Sequence, residues 1–134
     1  MKKINHFING QEYISKSDRF GDIFNPASGE KIGSVSFANK DDVALAIQNA
    51  SDAQKKWAAT PPLARSRVMF KFKELILRDM DKLALELTNE HGKILSDSVG
   101  SLTRGMEVVE FACGIPHLLK GEFSENVGTE IDSW

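Results

Sequence analysis

The chain has 134 residues, 41% of them hydrophobic and 27% charged, with a formal net charge of -2 from 17 basic and 19 acidic side chains. That is the make-up of one ordinary globular domain, long enough to bury a core. It offers no basic excess for nucleic acid, no apolar run of membrane-spanning length, and no secretory apolar region behind Lys2 and Lys3.

Residues 1–38 read as short strands. In Phe7-Ile8-Asn9-Gly10-Gln11-Glu12-Tyr13-Ile14 an Asn-Gly pair separates two extended-type segments, the strongest short-range signal for a hairpin. Ile23-Phe24 and Ile32-Gly33-Ser34-Val35-Ser36-Phe37 flank the turn residues Asn25, Pro26, Ser28 and Gly29. Pro26 fixes one turn dihedral and Gly29 accepts a positive φ, which predicts a second hairpin.

Residues 39–121 read as helices. Asn39 is the expected cap of the first, with Asp41 and Asp42 in its first turn, and Val43, Ile47, Ala50, Ala53 and Trp57 form its apolar stripe. Thr60-Pro61 reads as a cap followed by proline at the first position of a second helix, which runs to about Met80. A third helix starts near Asp81 and stops at His91-Gly92, with Gly92 as its C-terminal cap. A fourth spans Ser96 to about Gly114, and Pro116 and Gly121 mark its end. Residues 122–134 are polar, with a strand expected from Thr129. The fold class is therefore α+β, hairpins followed by about four helices.

Two of these helices are apolar on two sides. Val68, Phe72, Leu75 and Ile76 make the main stripe of the second helix, with Leu63, Phe70 and Leu77 roughly opposite. On the fourth, Val99, Leu102, Met106, Val109 and Cys113 make one stripe, and Val108, Phe111 and Ile115 another. A helix of this kind is usually covered on both faces. These surfaces are expected to lie against a larger body, either further sequence or other subunits, rather than to form one tight core.

Candidate chemistry is sparse. The lone cysteine, Cys113, excludes an internal disulfide and fits a reducing, cytoplasmic setting. Cys113 and His117 are four residues apart, the spacing of an activated thiol, but Pro116 intervenes and Cys113 sits on an apolar stripe, where a thiol is inert. His6, His91 and His117 are too far apart in sequence to suggest a metal centre. Gly100 and Gly105 are not followed by the Lys and Ser or Thr of a phosphate-binding loop. Each weakens a helix by about 1 kcal/mol relative to alanine, so close approach of a backbone or ligand is expected there. Arg104 heads the stripe Val108, Phe111, Ile115. Its guanidinium either reaches solvent or pairs with Glu107, or else faces a cleft and grips a carboxylate through its two-pronged edge.

Several motifs coincide in order. Phe7-Ile8-Asn9-Gly10, the turn Asn25-Pro26-Ala27-Ser28-Gly29, Trp57, Arg65-Ser66-Arg67 and Glu90-His91-Gly92-Lys93 resemble the landmarks that open an aldehyde dehydrogenase. The stretch from Arg104 to Ala112 and Pro116-His117-Leu118-Leu119-Lys120-Gly121-Glu122 is similar to the branch of CoA-acylating methylmalonate-semialdehyde dehydrogenases. The resemblance covers essentially the whole chain. It implies the first part of a cofactor-binding domain, with residues 122–134 starting the connection toward oligomerisation strands.

The activity the resemblance implies is oxidation of malonate or methylmalonate semialdehyde with NAD and coenzyme A as co-substrates, with loss of the carboxylate as carbon dioxide, giving acetyl-CoA or propionyl-CoA in a homotetramer. By the same resemblance Arg104 matches the arginine that meets the substrate carboxylate. Cys113 does not match the family's nucleophile. That nucleophile, the general base and the residues that contact NAD belong beyond Trp134, so no catalytic, cofactor-binding or metal residue is expected in this chain. A truncated piece, inactive alone, is the first expectation. A non-catalytic binding or assembly module on the same scaffold, or a non-acylating relative, are the others.

Overall fold

A computed structural model describes residues 2–134, the side chains of Ser124 and Glu125 excepted. Strand β1 (Lys2–Ile4) is followed by β2 (His6–Ile8) and β3 (Gln11–Tyr13), which pair antiparallel with Phe7 opposite Glu12. Asn9 and Gly10 take φ of 55° and 77°, the paired positive values that the tight hairpin turn requires. The second expected hairpin is also present, as β4 (Phe20–Phe24) against β5 (Lys31–Ser36). Asn25 shapes its turn by accepting the Ala27 amide on its side chain, at 2.9 Å.

One pairing is not local. β1 runs parallel to β5 and completes a sheet of order β1-β5-β4, with Lys2 opposite Gly33. A Cβ on residue 33 would stand 2.5 Å from the Lys2 carbonyl oxygen, so this close approach of two backbones needs glycine.

Helix α1 (Lys40–Ala59) starts as expected on Asn39, in a full capping box. The Asn39 side chain accepts from the Asp42 amide at 2.9 Å, and the Asp42 carboxylate accepts from the Asn39 amide at 2.8 Å. Asp42 is buried, and its carboxylate also accepts from Ser15 Oγ at 2.5 Å, which fastens the end of the first hairpin to α1. The Ser15 hydroxyl, then the Asn39 amide, hold the Asp42 carboxyl below the ordinary value of 3.8. The lowered folded value means that Asp42 stabilises the fold at neutral pH and loses that contribution as pH falls through the folded pKa. Asp42→Asn should therefore lower Tm at neutral pH and flatten its fall between about pH 5 and pH 2, read by thermal melts across pH.

Helices α2 (Pro62–Arg78), α3 (Met80–His91) and α4 (Leu95–Cys113) form the packed layer. α4 lies against both α2 and α3, and a short α5 (Ile115–Leu118) closes against α2. Small residues fill the crossings: Ala84 of α3 and Ser98 of α4 are fully buried, and Met106 and Cys113 are nearly so. Ser66 of α2 donates to the Cys113 carbonyl at 2.6 Å, and Thr88 bonds Ser98 at 2.8 Å. Lys73 and Glu110 add an ion pair between α2 and α4 at 2.6 Å.

Two expectations are corrected. Thr60 does not cap α2. Its hydroxyl turns back to the Lys56 carbonyl at 2.9 Å and closes α1, while Pro61 and Pro62 open α2. Thr129 does not begin a strand. It sits in the turn of a hairpin, β6 (Ser124–Gly128) against β7 (Ile131–Ser133), with Glu130 at φ 58°. The fourth helix ends where expected, at Cys113 with Gly114 as its cap, and is followed at once by α5, with Pro116 in its first turn.

The two-sided helices are as the sequence implies. On α4 the stripe Val99, Leu102, Met106, Val109, Cys113 turns inward, while Val108 and Phe111 stay 68% and 66% exposed. Leu63, Phe70 and Leu77 of α2 are exposed as well, and so are Val43, Ile47 and Trp57 of α1.

Candidate functional site

Arg104 lies two turns into α4, on the side away from the packed stripe, and is exposed. A helical side chain leans toward the preceding turn, which carries the guanidinium back over Ser101. Arg104 Nη2 donates to Ser101 Oγ at 3.1 Å. Pairing with Glu107, the alternative open from spacing, is not formed among the described residues.

Ser101 has a second cationic partner. Lys93 Nζ donates to the same oxygen at 2.6 Å. Lys93 is brought there by Gly92, which ends α3 in the left-handed region at φ 81°. A Cβ on residue 92 would stand 3.1 Å from the Pro26 ring, so the Asn25–Gly29 turn packs against this C-terminal cap. The turn thus buttresses the loop that presents Lys93. Sequence reading missed Lys93 and Ser101. The available signal was modest: a serine three residues before Arg104 on one helix face, and a lysine directly after a helix-ending glycine.

The glycines of α4 have weaker reasons than expected. A Cβ at Gly100 would meet Arg104 Nη1 at 3.6 Å, an ordinary contact, and Gly105 faces open space. Cys113 is buried on α4, and its carbonyl is held by Ser66. His117 sits on α5, beyond the break at Gly114, and among the described residues no hydrogen bond joins it to the thiol. Among the described residues no group of three His, Cys, Asp or Glu side chains is placed to hold a metal ion. A wide cleft between the sheet and the end of α3, lined by Phe24, Asn25, Gly33, Glu86 and Glu90, lacks a nucleophile and does not include Arg104.

Two cations on one hydroxyl, beside a helix with an open apolar side, can bind a small anion and cannot by themselves perform a reaction. The aldehyde dehydrogenase family model matches residues 13–132, and the chain belongs to that family. It is 42% identical over its whole length to a malonate-semialdehyde dehydrogenase of Pseudomonas aeruginosa, of which it spans 27%. It is 41% identical over 98% of its length to the mitochondrial acylating methylmalonate-semialdehyde dehydrogenase of Arabidopsis thaliana, of which it spans 22%. Among solved structures, a candidate methylmalonate-semialdehyde dehydrogenase of Sinorhizobium meliloti complexed with NAD superposes with a TM-score of 0.92, at 48% identity over 98% of this chain and 27% of that one.

The β5-to-α1 junction is not shaped for a dinucleotide pyrophosphate. A dinucleotide pyrophosphate needs free amides at a glycine turn between strand and helix. The β5-to-α1 junction has Asn39 there, with its own side chain on the Asp42 amide and two acidic residues in the first turn. No NAD contact is assigned to this chain.

Proposed function

We propose that this chain forms the N-terminal part of the cofactor-binding domain of an NAD-dependent, CoA-acylating malonate or methylmalonate semialdehyde dehydrogenase, with Arg104 receiving the substrate carboxylate. Residues 122–134 then begin the connection to the oligomerisation strands, and the complete enzyme works as a homotetramer in the cytoplasm. The observation that carries this reading is similarity along the whole chain to relatives that bear that name, 42% and 41% identical. Arg104 supports it, as a guanidinium with unused donors on the exposed side of α4 that also carries Val108 and Phe111. In this segment Arg104 selects substrate, and the thiolate chemistry and the transfer to coenzyme A are supplied by other residues of the enzyme.

The test is a chimera. The 134 residues replace the matching segment of the Pseudomonas aeruginosa relative, and NADH formation is followed with malonate semialdehyde and CoA. The chimera should keep kcat/KM within about tenfold of the parent, a loss of about 1.4 kcal/mol in transition-state binding. The chain alone should form no NADH. A folded chimera that oxidises ordinary aldehydes but not malonate semialdehyde would sink the assignment. The exposed faces of α1, α2 and α4 favour a second reading, an assembly module without chemistry. A discrete oligomer of the isolated chain with cooperative melting would support that one.

A further inference from the structure

Among the described residues, Lys93 and Arg104 pair with no carboxylate, although both reach the same oxygen. Two long cationic side chains gathered on one neutral hydroxyl repel each other, and each gives up rotamer freedom to be there. One hydroxyl, accepting on both lone pairs, is weak compensation. An anion between them would reverse the balance.

We propose that Lys93, Ser101 and Arg104 form a single carboxylate cradle. Lys93 is its second binding residue, and Ser101 is the positioning residue that sets the separation of the two cations. The inference rests on the proposed role of Arg104 and extends it to a second charge. Arg104 spends one of its five N–H donors on Ser101, and Lys93 one of its three, so both keep donors for a ligand. The flat guanidinium can grip a carboxylate with two parallel bonds, while the compact ammonium adds a point charge from the α3–α4 loop. The arrangement distinguishes a carboxylated semialdehyde from a neutral aldehyde of the same length. It also gives the Asn25–Gly29 turn a purpose, since its packing on Gly92 fixes where Lys93 leaves α3.

The experiment is a titration of the isotope-labelled chain with malonate, read on the arginine Nε–Hε and lysine side-chain NMR signals. Arg104 and Lys93 signals should move together and saturate at one dissociation constant. Lys93→Met and Ser101→Ala should each weaken malonate binding about tenfold. Ser101→Thr should retain it. Lys71→Met, which removes an equal charge on α2, should leave it unchanged, as should the melting temperature in every variant. Inorganic phosphate at equal ionic strength should compete poorly. Equal weakening in Lys71→Met and Lys93→Met, or stronger binding of phosphate than of malonate, would overturn the cradle. Unchanged malonate affinity in Lys93→Met, with loss in Arg104→Ala, would overturn the role of Lys93 and leave that of Arg104 standing. Unchanged affinity in Arg104→Ala would instead overturn the underlying reading.

Discussion

Ala84→Leu is expected to disrupt the helical layer, lowering Tm by about 10 °C or abolishing the cooperative transition. Ala84 has no solvent exposure and lies on α3, which packs against α4. Ser98, on the facing helix, is equally buried and committed to Thr88 at 2.8 Å. Three added carbons have nowhere to go without pushing the helices apart and breaking that bond. Overpacking of a tight site destabilises by about 1–3 kcal/mol, and a buried hydroxyl left unpaired adds about 1–3 kcal/mol. At about 2–4 °C per kcal/mol for a domain near this size, the sum spans about 4–24 °C, with its middle near 10 °C. Ala44→Leu on the exposed face of α1 is the control and should leave the melt unchanged. Circular dichroism at 222 nm against temperature reads both. A small shift for Ala84→Leu would mean that the α3–α4 contact is loose, which its small buried residues argue against.

The elements legible in the sequence are those set by short-range geometry. Asn9-Gly10 needs only its own dihedrals to announce a hairpin, and Asn39 needs only the three residues after it to build a capping box. Gly92 likewise ends α3 through its own positive φ. Illegible features depend on distant partners or on competition between neighbours. Lys2–Ile4 is too short to carry a period, and its parallel pairing with β5 is decided by the missing Cβ at Gly33, thirty residues away by sequence. Thr60 could serve either of two helices, and the proline pair after it settles the choice by opening α2 without a side-chain cap. Thr129 has strand propensity, yet Glu130 in the left-handed region places it in a turn. The same division holds at the site. The stripe headed by Arg104 follows from helical spacing on one element. Lys93 reaches Ser101 across the α3–α4 loop, whose Gly92 cap packs against a turn from the first forty residues, a long-range contact that no local pattern encodes.

Arg104→Ala in the chimeric enzyme should lower kcat/KM for malonate semialdehyde by about 10²-fold while changing propanal by less than about threefold. The arithmetic starts from a charge-assisted hydrogen bond, worth about 1.5–3 kcal/mol, and truncating one partner of a charge pair can reach about 2–5 kcal/mol. Each 1.4 kcal/mol is tenfold, so the loss lies between about ten- and several thousandfold. The carboxylate stands one methylene from the reacting carbonyl and carries its charge unchanged through hydride transfer, so Arg104 is expected to hold it alike before and during that step. The loss should therefore appear mainly as a raised KM, with kcat less affected. Arg104→Lys should recover only part of it, because an ammonium keeps the charge and loses the two-pronged edge. Propanal is the decisive comparison. It keeps the reacting carbonyl and the chain length of malonate semialdehyde and lacks only the carboxylate. If Arg104 served only to fasten α4 through Ser101, both substrates would lose rate together, because a shifted helix does not distinguish them. A selective loss cannot arise that way, and it would assign the guanidinium to the substrate rather than to the fold.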